Sequence, residues 1–149
     1  MMIYLGADHR GFKLKEKIKA WLEEWREEYE DMGNSKYDPE DDFPDYAGKV
    51  ARKIQAGGGL GILLCGSGGM ALAANKFKGV WAVEAWDVER ARHAREDDGA
   101  NVLAVSADAV DEVRLKQMIR AWLKAEVKTE EKYVRRLGKI RQLEAKNFK

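Results

Sequence analysis

Leu60–Phe77 reads LGILLCGSGGMALAANKF, and this stretch decides the fold class. Leu60–Cys65 is a continuous apolar run of strand length, and a strand without polar alternation is buried on both faces. Gly66, Ser67, Gly68 and Gly69 break the run as a turn, and Met70–Phe77 then has the composition of a helix former. A buried strand that feeds a helix through a short loop belongs to a parallel sheet covered by helices.

The same alternation recurs on either side. Met2–Asp8 is a short apolar run ending in turn residues, and it reads as a first buried strand. Leu14, Ile18, Leu22 and Trp25 then recur at helical spacing. A short second strand is expected within residues 27–33, followed by a turn-rich loop that contains Pro39. The segment from Asp42 reads as a capped helix with Pro44 in its first turn. Gly79–Trp86 and Asn101–Val105 are the remaining strands, with a polar helix between them. Leu115, Met118, Ile119 and Trp122 mark an amphipathic helix. The charged tail, about residues 129–147, is a last helix carrying Val134, Leu137, Ile140 and Leu143 on one side. That stripe packs either on a second subunit or on the chain's own core, and both readings stand.

Right-handed crossovers turn this order into a doubly wound, three-layer αβα sandwich. Ligands in such sheets bind beyond the carboxyl ends of the strands. Three tips are therefore candidates: Asp8-His9-Arg10, Cys65 to Gly69, and Trp86-Asp87.

The 149 residues suit one domain, 1–149, and 45% of them are apolar, enough for a packed interior. The formal net charge of +1 gives no electrostatic reason to expect nucleic acid. No run of about 18 apolar residues exists, so no membrane span is expected. The start, MMIYLGADHRG, lacks the basic opening and long apolar centre of a signal peptide. The single cysteine has no partner for an internal disulfide. A cytoplasmic protein is the expectation.

Cys65 has two readings. Lone cysteines at strand ends are commonly small buried hydrophobes. Here, however, glycines let backbone amides approach a ligand and a helix start adds partial positive charge, which suits an oxyanion and favours a thiolate. The loop lacks the Gly-Lys-Ser/Thr ending of a P-loop.

GADHRGFKLKEKI, DFPDYA, GILLCGSGGMALAANKF and ANVLAV occur in this order at fitting intervals. Together they resemble the ribose-5-phosphate isomerase B family, which includes the galactose-6-phosphate isomerase subunits. The resemblance runs from Ile3 to about Ile140. It implies a Rossmann-like or flavodoxin-like fold of five parallel strands, and a homodimer or tetramer whose active sites are shared between subunits. It implies a phosphorylated sugar as substrate, with ribose 5-phosphate to ribulose 5-phosphate the expected reaction, and no metal or organic cofactor. Aldose and ketose interconvert in this family through an enediolate. The resemblance makes Cys65 the base and Ser67 the hydroxyl that handles the proton between the two substrate oxygens. It makes the amides of Gly66, Ser67, Gly68 and Gly69 the donors to the enediolate. Asp8 and His9 match the substrate-binding and ring-opening end, Tyr46 falls on a site-proximal segment, and phosphate binding rests on His9 with Lys132 and Arg136, which match phosphate-binding positions in the last helix.

The chain departs from the family pattern at four places. The loop CGSGGM is one residue short. Asp97 and Asp98 stand where His-Asn is usual, which puts Asp97 in the implied catalytic set and Asp98 among the implied substrate-binding residues, with His93 one helical turn earlier. Asp108 stands where an arginine is common, and Lys132 replaces a second tail arginine. These departures motivate a second reading, a non-catalytic or partner-dependent subunit completed by a related chain. A third is a nucleotide- or flavin-binding module on the same architecture.

Overall fold

In the computed structural model, which describes residues 1–148, β1 (Ile3–Ala7) runs between β2 (Tyr29–Asp31) and β3 (Leu60–Cys65). β5 (Val102–Ser106) lies outside β3, and β4 (Ala82–Ala85) forms the far edge. All four pairings are parallel, with Ile3 opposite Leu60 and Cys65 opposite Ser106. The connections are helical: α1 (Phe12–Glu24), α2 (Phe43–Gly57), α3 (Gly69–Ala74) and α4 (Val88–Glu96). Two more helices, α5 (Glu112–Lys124) and α6 (Glu131–Asn147), follow β5. This is the expected αβα architecture. The chain leaves β1 toward one edge and returns past it to β3, so the crevice beyond the carboxyl ends of β1 and β3 is the topological switch point.

The unbroken apolar run of β3 follows from its central position. Side chains alternate across a strand. Ile62 and Leu64 join Ile18, Leu22, Leu115, Met118 and Trp122 on one face, while Leu63 and Cys65 join Val50, Ala51, Met70 and Ala74 on the other. Each fully buried leucine contributes about 2 kcal/mol of transfer free energy. Both faces need apolar residues, so no polar position is left.

β4 is shorter than the expected Gly79–Trp86. Asparagine side chains take over its first amides: Trp81 N–H donates to Asn101 Oδ1 (2.8 Å) and Ala82 N–H to Asn75 Oδ1 (2.7 Å). On α6 only Leu137 is buried; Val134, Ile140 and Leu143 of the predicted stripe are exposed.

Lys15 is the one cation buried completely among the described residues. Its Nζ reaches both oxygens of Asp31, at 2.7 and 2.6 Å, and ties α1 to the end of β2. Burial pushes the Asp31 carboxyl up, but hydrogen bonds from Lys15, the Gly33 amide and Lys19 outweigh it and hold its pKa below the ordinary value. This contribution is present above the unfolded carboxylate range and is lost as pH falls through the depressed pKa. Lys15→Ala is expected to cost about 3 kcal/mol in urea unfolding, because it leaves a partly buried carboxylate without its main partner. A loss below about 1 kcal/mol would show that Lys19 alone satisfies Asp31.

Candidate active site

The tip of β1 is clamped by the loop after β2. Ala7 N–H donates to Gly33 O and Asn34 N–H to Ala7 O, each at 2.9 Å. Asp8 is buried, and its Oδ1 accepts from the amides of Arg10 (3.0 Å) and Gly11 (3.3 Å), a turn that feeds the chain into α1. His9 projects from this turn and meets Asp41, which precedes α2, with Nδ1 2.7 Å from Oδ1. That hydrogen bond raises the His9 pKa above its ordinary value. A hollow of about 540 Å³ opens beside the pair, lined by Asp8, Asp41, Asp42, Phe43, Pro44 and Asp45. Tyr46 stands one turn into α2 with its ring close to Gly33; burial, then the negative charges of Asp41, Asp38 and Asp45, raise its pKa.

Cys65 ends β3, is 2% exposed and does not line this hollow. Its thiol donates to Ser67 O at 2.8 Å. Ser106 Oγ–H donates to Gly66 O at 2.6 Å, so the loop is folded back on its own strand and on β5. Among the described residues, the amides of Gly66, Ser67, Gly68 and Gly69 donate to no protein acceptor. The loop that follows Cys65 thus carries a set of unused donors beside the sulfur.

Three side chains crowd this loop. The Arg10 guanidinium lies where a Cβ on Gly66 would stand, and the Phe43 ring lies where a Cβ on Gly69 would stand, 2.5 Å from Cζ. Close approach, rather than an unusual φ, favours glycine at Gly69, while at Gly66 the flexible Arg10 head would have to move aside. The Glu84 carboxylate sits against Gly68. Arg10 also pairs with Asp108 beyond β5. At the third candidate tip, Asp87 caps α4 by accepting the Arg90 amide at 2.7 Å, and Trp86 is exposed.

The other expected site residues lie elsewhere. Asp97 follows α4, where Lys128 Nζ approaches Oδ1 at 2.6 Å and His93 Nδ1 approaches Oδ2 at 2.9 Å. The Lys128 ammonium, then His93, outweigh the effect of burial and hold the Asp97 carboxyl below the usual range. Asp98 lies 3.6 Å from Arg90. Lys128, Lys132 and Arg136 surround the Tyr133 ring at 4.6, 5.3 and 5.6 Å from its centroid. Arg135 instead pairs with Glu131 of its own helix. Leu137 packs against Gly99, just before β5, and Glu144 bonds the Gly79 amide, just before β4. This second set therefore belongs to the amino ends of the strands. Strands of five to six residues separate it from the first set by about 15–20 Å within one copy. Both histidines engage a carboxylate through Nδ1.

The sequence profile of the Ribose/Galactose Isomerase family matches residues 3–140. The chain belongs to this family. It is 39% identical over 140 residues to a probable ribose-5-phosphate isomerase B of Mycoplasma pneumoniae, covering 93% of this chain and 91% of that protein. Its structure superposes on ribose-5-phosphate isomerase B of Clostridium thermocellum with a TM-score of 0.93, at 35% identity over 98% of this chain and 99% of that one. The Mycoplasma genitalium enzyme, solved with bound ribulose-5-phosphate, gives a TM-score of 0.93 at 36% identity, over 98% of this chain and 97% of that one.

Within this Ribose/Galactose Isomerase member, sequence reasoning overlooked four residues beside the expected ones: Asp41, Phe43, Glu84 and Lys128. Arg10 was named at a candidate strand tip, but without a role. The other four reach the loop or the clusters only through tertiary contacts, and no spacing rule reports those.

Proposed function

We propose that the chain interconverts ribose 5-phosphate and ribulose 5-phosphate, an aldose–ketose isomerisation through an enediolate. One observation carries the reading: a thiol at the switch point stands beside a loop whose amides are free to bind an oxyanion. In the assigned chemistry the Cys65 sulfur, as thiolate, takes the proton from C2 of the open-chain aldose and returns it to C1. Electron density passes into the carbonyl oxygen as the enediolate forms, and the amides of Gly66–Gly69 stabilise that charge. The Ser67 hydroxyl carries a proton from one substrate oxygen to the other. Asp8 and His9 hold the sugar end, with Tyr46 behind them. Asp97, held ionised by Lys128, is a poor proton donor at neutral pH; its part is to orient His93, with Asp98 alongside. Lys132 and Arg136 bind the phosphate together with His9, and Lys128 adds to their field.

The two sets of residues come together only if the carboxyl-end set of one copy faces the amino-end set of another. We read the working unit as a homodimer or tetramer with shared sites. The exposed Val134, Ile140 and Leu143 on α6 supply an apolar stripe for such packing. No described helix is long and apolar enough to cross a membrane, and we place the protein in the cytoplasm.

The test is direct. The purified chain, given ribose 5-phosphate in heavy water, is expected to form ribulose 5-phosphate with deuterium entering at the transferred position. Ribulose formation only after a related chain is added would instead establish the partner-dependent reading. Absence of turnover and exchange under both conditions would reject the isomerase assignment.

A further inference from the structure

His9 is held from outside its own segment. Its backbone N–H and its ring Nδ1 both meet Asp41 Oδ1, at 3.1 and 2.7 Å. Asp41 is itself fixed: its side chain is 2% exposed, and Oδ2 accepts from Asn34 Nδ2 at 3.3 Å. The same Asn34 is bonded through its backbone to Ala7, so β1, the loop after β2 and the entry to α2 meet at one carboxylate. An ionised carboxylate only accepts, so the proton between these groups belongs to Nδ1 of the imidazole. Nε2 is then on the far side of the ring from Asp41, and among the described residues no protein group bonds to it. The Tyr37 ring meets His9 edge-on at 6.3 Å and limits the ring's swing.

We propose that Asp41 is a positioning residue for the isomerisation: it fixes His9 with Nδ1 as its donor and presents Nε2 to a phosphoryl oxygen of the sugar phosphate. This rests on the reading of His9 as a substrate-binding group. The charged groups facing the ring are Asp41 from the segment before α2, with Asp8 and Arg10 from its own turn. The Asp41 hydrogen bond raises the His9 pKa most; burial and Arg10 oppose it, and Asp8 adds to it. A raised imidazole pKa extends toward higher pH the range in which Nε2–H is a charged donor, and charge-assisted bonds to phosphate are the strong ones. Binding is therefore full at lower pH and weakens as pH rises through the His9 pKa.

The experiment uses Asp41→Asn, which keeps size and an acceptor but removes the charge, together with His9→Gln. The chain has only two histidines, so His9→Gln assigns the His9 ring resonances by nitrogen-15 NMR. In the wild-type protein the neutral ring is expected as the Nδ1–H tautomer, and inorganic phosphate is expected to move the Nε2 resonance. In Asp41→Asn the His9 titration shifts to lower pH. The KM for ribose 5-phosphate at pH 8 rises about tenfold, the worth of one hydrogen bond to a charged group, while kcat stays within about threefold. A wild-type Nε2–H tautomer, or a His9 titration unchanged in Asp41→Asn, overturns the proposal. So does a shifted titration with an unmoved KM. If His9→Gln itself leaves KM and phosphate binding unchanged, the reading of His9 fails instead, and with it the premise. Because tautomer and phosphate are read on the folded wild-type protein, the test does not depend on the variants folding.

Discussion

Cys65→Ala is expected to lower kcat for ribose 5-phosphate by about a thousandfold, within the range that a positioned general base contributes. The argument is geometric. Two usable bases lie beside the unpaired amides of Gly66–Gly69, the Cys65 sulfur and the Glu84 carboxylate, and Cys65 is the one that leads directly into the loop from the central strand. The substitution removes one buried sulfur from the α2–α3 face of the core, a loss of about 1 kcal/mol that leaves the fold in place. KM is expected to change by less than about threefold, because phosphate recognition is assigned to other residues. Deuterium exchange at C2 should disappear in parallel with turnover. Cys65→Ser supplies a control: it keeps a donor to the Ser67 carbonyl but is a poor base at neutral pH, so it should remain at least about a hundredfold down. A Cys65→Ala enzyme within about threefold of wild type would move the proton-transferring role to another group, with Glu84 beside Gly68 the first to examine.

The second large effect concerns the separation of the two residue sets. Lys132→Ala/Arg136→Ala is expected to lower kcat/KM about a hundredfold or more, since each lost charged contact is worth roughly 1.5–3 kcal/mol. Neither this variant nor Cys65→Ala contains an intact site in its own homo-oligomer. Co-expression of the two changes that. A mixed dimer joins the intact carboxyl-end set of one copy to the intact amino-end set of the other, while its second site carries both defects. With random pairing in a two-fold assembly, about a quarter of wild-type activity is expected to return. Activity no higher than the sum of the separately purified variants would mean that each copy works alone. Some movement would then have to bring α6 and the Cys65 loop together within one chain.

The resemblance to a sugar-phosphate isomerase and the parallel αβα layering were both legible in the residues. The layering was legible because burial on two faces leaves a strand such as Leu60–Cys65 with no polar positions, and because Ile18, Leu22, Leu115 and Trp122 keep helical spacing. Strand ends were less legible. Trp81 looks like a strand residue, yet its amide bonds to the Asn101 side chain and the strand starts only at Ala82. Local composition carries no trace of that competition.

By itself, then, the sequence determined the layers, the order of the elements, the family and the residue types available at each strand tip, because these depend on short-range periodicity and on motifs contiguous in the chain. Only the tertiary structure decided what those residues face. It buried Lys15 on Asp31, laid Arg10 and Phe43 over the glycine loop, bonded His9 to Asp41, and placed Asp97, Lys132 and Arg136 at the opposite end of the sheet from Cys65. The physical reason is that hydrogen bonds and ion pairs between distant segments depend on how helices dock across the sheet, and a carboxylate in sequence does not indicate which cation or imidazole the fold will set against it.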